Sequence, residues 1–145
     1  HDIESMGKLV AATEAIFDAV SPVVLPNGSL EKQPATDQEW AEVRRAAIVM
    51  AEGGNLLMMT GRSIDRAPAA DARRPGPRGR ELMPAVAARV SKSRARWIRL
   101  ASGLIDAGAV TIRAVDQRNA RALLEAGNVI DAACEACHHE YWYGH

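Results

Sequence analysis

Residues 36–57 read TDQEWAEVRRAAIVMAEGGNLL, and they carry the clearest structural pattern in the chain. Apolar or small residues recur there at alternating steps of three and four positions: Trp40, Val43, Ala47, Met50, Gly54 and Leu57. Such spacing places side chains on one stripe of an α-helix. Thr36 and Glu39 form a capping-box pattern, in which each side chain can accept a hydrogen bond from the other residue's backbone N–H. The stretch predicts an amphipathic helix over about residues 37–60.

Three further segments show the same periodicity. A first helix is predicted over about residues 2–21, with the stripe Ile3, Met6, Val10, Thr13, Phe17 and Val20. A third is predicted over about 84–115, with the stripe Val86, Val90, Ser93, Trp97, Leu100, Leu104 and Ala107. A fourth is predicted over about 119–143, with the stripe Leu123, Gly127, Ile130, Cys134, Cys137 and Tyr141. Four such helices indicate an all-α, antiparallel four-helix bundle.

The composition indicates one globular domain over residues 1–145. Lys and Arg together number 18, as do Asp and Glu, so nothing in the charge suggests a nucleic-acid partner. No apolar run reaches the length of a membrane span. No signal peptide is recognisable and the first residue is not Met, which predicts a processed or trimmed chain. Residues 61–82 hold three prolines and six arginines, and they predict a flexible loop.

Residues 134–138 read CEACH and contain both cysteines of the chain. A thioredoxin-type dithiol uses Cys-x-x-Cys at a helix N-terminus within a βαβ unit, whereas this pair lies deep in the last predicted helix. A structural zinc site needs about four ligands. The chain has no second cysteine pair, and its other histidines are His1, His139 and His145. Both chemistries therefore lack the context that they normally require.

Cys-x-x-Cys-His is also the signature of covalent haem c attachment. Each thiol adds to one vinyl group of the porphyrin, and the histidine can present its imidazole to the iron. Cys134 and His138 are four residues apart and Cys137 lies one turn from Cys134. On a helix all three can therefore face one cavity. We predict that Cys134 and Cys137 bind haem c and that His138 is the proximal iron ligand.

The stretch DAACEACHHEYWY, residues 131–143, resembles the cytochrome c′ family, including its low-spin cytochrome c-556 relatives. MGKLVAATEAIFDAV, residues 6–20, and the stretch 36–57 are also similar to bacterial members of that family. The resemblance implies a haem between the helices, near one end of the bundle. It implies a periplasmic location, because haem c is attached after export. We expect a one-electron transfer protein rather than an enzyme.

In the resembling family the second axial position is filled from the first helix. Six-coordinate members have a methionine there and five-coordinate members an apolar residue. The resemblance therefore implies that Met6 is the distal iron ligand, although methionines at helical spacing commonly fill cores. If Met6 does not bind, the distal face is open to NO or CO, which is the alternative function. A second alternative is a helical metal-binding or scaffold protein without haem.

Several other residues have two interpretations. Trp97 and Tyr141 are expected in the core, where they could also pack against the porphyrin. Arginines of the loop 61–82 could pair with haem carboxylates or dock a redox partner, whose identity the sequence does not give. Members of the resembling family often form homodimers, and the sequence does not say whether this chain does. Glycine inside a helix costs about 1 kcal/mol relative to alanine, so Gly54 and Gly127 predict either a flat cofactor or a close helix crossing.

Overall fold

A computed structural model describes residues 2–61 and 77–143, with side chains described for all of these except residues 2–6 and 77–83. The described residues form five helices: α1 (Asp2–Asp18), α2 (Asp37–Met58), α3 (Pro77–Lys92), α4 (Arg94–Asp116) and α5 (Ala120–Tyr141). Within the described ranges the only β-pairing is an isolated antiparallel bridge between Val24 and Leu30. The predicted all-α class is confirmed.

Helices α2 and α4 form the central antiparallel pair. At one end of this pair, the indole Nε1 of Trp97 donates to the carbonyl oxygen of Leu57 over 2.7 Å. At the other end, Arg44 Nε lies 2.9 Å from Asp116 Oδ1. Each contact joins the start of one helix to the end of the other, so the two helices run in opposite directions.

Helices α1 and α5 complete the bundle on either side of this pair. Arg96 near the start of α4 bonds Glu140 near the end of α5, with 2.7 Å between Nε and Oε1. Leu9 near the start of α1 packs against Gly53 near the end of α2. Helices α1 and α5 contact each other only sparsely. The bundle is therefore tight on three sides and open between α1 and α5.

The third predicted helix is two helices, which corrects the expected count of four. Ser93 was expected on the buried stripe, but it is exposed, has extended backbone (φ −149°, ψ 91°) and caps α4. Its hydroxyl accepts from the backbone N–H of Arg96 over 3.3 Å, and this local bond ends one helix and starts the next. Helix α3 also begins at Pro77 rather than Pro84, so it extends into the predicted loop. Residues 62–76 of that loop lie outside the described residues.

The stripe of α2 is buried as predicted, at all six positions from Trp40 to Leu57. Its N-terminus is capped by Thr36, whose Oγ1 accepts from Glu39 N over 3.1 Å. The Glu39 carboxylate reaches back to the N–H of Ala35 instead of Thr36, also over 3.1 Å. The hydrogen-bonded cap therefore spans Ala35 to Glu39, one residue more than the predicted capping box.

The stripe predicted for α1 is wrong by one position over most of its described length. The residues of α1 buried in the core are Leu9, Ala12 and Ile16. Val10 and Phe17, which were expected in the core, are 57% and 40% exposed. Two adjacent apolar rows run along α1, and only one of them packs against the described part of the bundle.

The α2–α4 crossing explains one of the two helical glycines singled out above. A Cβ at Gly54 would lie 2.9 Å from Ile105 Cγ1 and 3.0 Å from the carbonyl oxygen of Ala101. Across the same crossing, a Cβ at Gly108 would lie 3.0 Å from the carbonyl oxygen of Ala47. Close approach of two backbones therefore requires these glycines, and no flat group is needed to account for Gly54.

Candidate functional site: an apolar cavity above the cysteine pair

The opening between α1 and α5 forms a cavity with a volume of about 310 Å³. On one side it is lined by α1 through Leu9, Val10, Thr13, Glu14 and Phe17. On the other it is lined by α5 through Ile130, Asp131, Ala133, Cys134, Glu135, Cys137 and His138. Leu57 of α2 and Leu104 of α4 also line it. The cavity lies at the end of the bundle that holds the start of α1 and the end of α5.

All three residues of the predicted attachment motif line this cavity. Cys134, Cys137 and His138 are half-buried, and the two thiols are free. They were expected on the buried face of the last helix, whereas they lie at its edge and face the opening towards α1. His139 is exposed and does not line the cavity, since consecutive residues point about 100° apart around a helix. The structure therefore brings together the two cysteines and the one histidine named from the sequence.

The wall of α1 opposite the cysteines is apolar and exposed. It includes Val10 and Phe17, the row that the sequence wrongly assigned to the core. Phe17 packs against α5 where Gly127 has no side chain, because a Cβ there would lie 3.2 Å from Phe17 Cε1. Gly127 is thus explained by this contact. An uncovered apolar wall facing two thiols and an imidazole fits a flat, apolar group bonded to the chain, such as a porphyrin.

Burial and nearby carboxylates both raise the pKa of the two thiols. Burial, with smaller contributions from Asp131 and Glu135, raises the pKa of Cys134. Burial, with smaller contributions from Cys134 and Glu140, raises the pKa of Cys137 to about 11. A redox dithiol needs a lowered thiol pKa, because the thiolate is the nucleophile. This electrostatic setting disfavours the dithiol interpretation.

We expect Cys137 in the haem-free chain to react slowly with iodoacetamide at pH 8. Its pKa of about 11 against an ordinary 9.0 leaves about 100-fold less thiolate than an ordinary cysteine has. The rate should rise with pH up to about 11, and unfolding in urea should remove the difference. Mass spectrometry of tryptic peptides measures the rate. Equal rates in the folded and unfolded chain at pH 8 would contradict the raised pKa of Cys137.

Trp97 and Tyr141 pack on each other rather than along the cavity. Their ring centroids are 5.2 Å apart with the planes at 75°, an edge-to-face pair. Both are buried, at 4% and 3% exposed, and neither lines the cavity. Their expected core position is confirmed, and a contact with haem stays a prediction. The hydroxyl of Tyr141 is buried without a hydrogen-bond partner among the described residues.

We expect Tyr141→Phe to stabilise the haem-free chain by about 1 kcal/mol. Burying a hydroxyl that makes no hydrogen bond costs about 1–3 kcal/mol, and the phenyl ring keeps the contact with Trp97. Urea denaturation followed by circular dichroism measures the change. A loss of stability in the variant would show that the hydroxyl has a partner in solution.

The proposed distal ligand falls outside what the structure describes. Met6 belongs to α1, four residues before Val10, but its side chain is not among the described residues. Met50 is fully buried in the core and Met58 packs against that core, as expected of methionines that fill gaps. Among the described side chains, no three His, Cys, Asp or Glu residues gather in a way that could hold a metal ion. The zinc interpretation gains no support from this.

The sequence missed three features of the site. The rim carboxylates Glu14, Asp131 and Glu135 were not singled out, although their spacing from Val10 and Cys134 could have indicated them. The contacts of Trp142 and Tyr143 with the ring of His138 were not predicted either. The third feature is the apolar wall. It depends on which of the two adjacent apolar rows of α1 faces the core, and the sequence alone does not decide this.

No family model matches the chain, and neither a curated protein nor a solved structure is significantly similar to it. The function of the site is therefore inferred from its residues and their arrangement. Over the described ranges, none of the helices combines the length and the apolar character needed to cross a membrane.

Proposed function

We propose that this protein is a c-type cytochrome similar to the cytochrome c′ family, with one haem bound covalently in the α1–α5 cavity. The observation that carries the proposal is the convergence of Cys134, Cys137 and His138 on one apolar cavity. A chance CxxCH sequence on a helix has no reason to face an opening in the core. Here the motif faces the opening between α1 and α5, two helices that contact each other only sparsely.

Three residues of α5 would hold the haem. Cys134 and Cys137 would each form one thioether, in which the thiol S–H adds across a vinyl group, with sulfur on one carbon and hydrogen on the other. His138 lies one residue further along the same helix, where its imidazole could bind iron. When bound, the haem supplies an iron that alternates between the ferric and ferrous states and so carries one electron.

The rest of the cavity controls water and charge. Leu9, Val10 and Leu104 present apolar side chains that exclude water from the group between the helices. An apolar surrounding disfavours the additional positive charge of ferric iron and therefore raises the reduction potential. Glu14, Asp131 and Glu135 lie at the rim, where a negative charge favours ferric iron and partly offsets this effect.

Binding of NO or CO is the second candidate, and one observation favours it. The described residues of α1 that line the cavity are Leu9, Val10, Thr13, Glu14 and Phe17. The Thr13 hydroxyl donates to the carbonyl oxygen of Leu9 over 2.8 Å, and Glu14 is exposed. The described part of this wall therefore has an apolar centre without a typical haem ligand. Met6 is the residue of α1 that the resemblance proposes as sixth ligand, and without it the distal side accepts a small gas.

The decisive experiment compares two neighbouring histidines in protein produced with a haem c attachment system. We expect His138→Ala to lose the wild-type absorption spectrum in both oxidation states, because His138 faces the cavity. His139→Ala is the matched control and should retain it, because His139 is exposed. A colourless wild-type protein, or a His138→Ala spectrum identical to that of the wild type, would contradict the proposal.

Addition of CO to the reduced protein separates the two candidate functions. A low-spin spectrum that CO does not change, and that Met6→Ala converts to a CO-sensitive one, supports His/Met ligation and electron transfer. An immediate spectral shift with CO in the wild type supports gas binding. A periplasmic location belongs to the same proposal, since haem c attachment takes place after export.

A further inference from the structure

Two aromatic residues directly after α5 lie beside the histidine that we propose as iron ligand. The backbone N–H groups of Trp142 and Tyr143 both donate to the carbonyl oxygen of His138, over 2.7 Å and 3.0 Å. These two hydrogen bonds to one carbonyl end the helix. They place the side chains of Trp142 and Tyr143 near His138, four and five positions earlier. The chain therefore places two aromatic rings beside one imidazole.

Both rings contact the imidazole of His138. The ring centroid of Trp142 lies 6.1 Å from it with the planes tilted by 52°. The ring centroid of Tyr143 lies 6.4 Å from it with the planes at 76°, an edge-to-face arrangement. Such offsets are the favourable geometries for aromatic pairs.

An axial imidazole also needs a fixed orientation. In metal-binding histidines this orientation normally comes from groups that surround the ligand. The aromatic rings that contact the His138 imidazole among the described residues are Trp142 and Tyr143. Packing of this kind restricts rotation of the imidazole.

We propose that Trp142 and Tyr143 are positioning residues that clamp the imidazole of His138 and fix its orientation. The inference deepens the proposed function and rests on it, since it concerns His138 as an axial ligand. The orientation of an axial imidazole affects the magnetic anisotropy of ferric iron, so one fixed orientation gives a narrow electron paramagnetic resonance signal. Trp142 and Tyr143 are 39% and 57% exposed, so either ring can be removed without opening the core.

The test uses ring-deleting and ring-keeping variants of the haem-loaded protein. We expect Trp142→Ala and Tyr143→Ala each to broaden the electron paramagnetic resonance signal of the ferric iron, because the imidazole can then take several orientations, and the double variant to do so more. Trp142→Phe and Tyr143→Phe should stay close to the wild type. Val129→Ala is the matched control, because Val129 is also an exposed apolar residue of α5 and does not line the cavity.

The haem-free chain provides a second readout that does not depend on the proposed function. Nuclear Overhauser contacts between the ring protons of His138 and those of Trp142 and Tyr143 should be present in it. Their absence, or unchanged electron paramagnetic resonance spectra in both alanine variants, would overturn the clamp. If these contacts are present but no haem is incorporated, the proposed function fails while the packing of the rings stands.

Discussion

Cys134→Ser/Cys137→Ser should abolish the haem that survives denaturation and leave the helical bundle folded. The thioethers need both sulfur atoms, and serine oxygens do not form these links under the same conditions. Both positions are half-buried at the edge of the cavity, so serine hydroxyls can reach water there. The measurements are haem staining after denaturing electrophoresis and far-ultraviolet circular dichroism.

The single variants are the controls for this loss. Cys134→Ser and Cys137→Ser should each retain one thioether, so each should keep covalent haem with a shifted pyridine haemochrome band. Haem that remains bound after denaturation in the double variant would contradict attachment through these sulfurs. Loss of helical signal in the double variant would instead mean that the cysteines maintain the fold, which their half-buried positions do not indicate.

Gly54→Ala and Gly108→Ala should each lower the free energy of unfolding by about 1–3 kcal/mol, the range for overpacking a well-packed core. Each added Cβ would meet main-chain atoms of the opposite helix, 3.0 Å from the carbonyl oxygen of Ala101 or of Ala47. A rigid backbone cannot give way as a flexible side chain can, so α2 and α4 must move apart. This cost should exceed the gain of about 1 kcal/mol that alanine brings to a helix.

Gly103→Ala is the matched control for the two crossing glycines. Gly103 also lies in α4, but a Cβ there would lie 3.6 Å from Ala133 Cβ, which is ordinary contact. We therefore expect this variant to be neutral or to be stabilised by up to about 1 kcal/mol. Urea denaturation of the three variants measures the differences. Equal stability of all three would contradict the close crossing.

Much of the fold followed from the sequence because the helical patterns are regular. In α2, every residue of the predicted stripe is buried, since its apolar positions recur without a shift from Trp40 to Leu57. The cap at Asn119 also agrees with the predicted start of the last helix, and its side chain accepts from Ala122 N over 3.0 Å. In these segments, periodicity and capping chemistry favour the same structure.

The sequence failed where two local signals compete. In α1, Leu9 and Val10 start two apolar rows of similar strength, and periodicity alone does not decide which row faces the core. Tertiary packing against Gly53 selects Leu9 and leaves Val10 to the cavity. At Ser93, a residue that fits a helical stripe also caps a helix, and the capping bond prevailed.

The candidate site was predictable in its residues and not in its surroundings. Cys134, Cys137 and His138 could be named from their spacing, which places them on one helical surface. The facing wall depends on the register of α1, and the aromatic contacts to His138 depend on how the chain turns after Tyr141. Neither is encoded in a local pattern, because each follows from contacts between segments or at a helix end.

The intact mass of the wild-type chain, produced with a haem c attachment system and measured under denaturing conditions, tests the central claim most directly. We predict one species, heavier than the polypeptide by the mass of one haem, with the added mass on the peptide that carries Cys134 and Cys137. A species with the mass of the bare polypeptide and two thiols that can be alkylated after unfolding would contradict the claim.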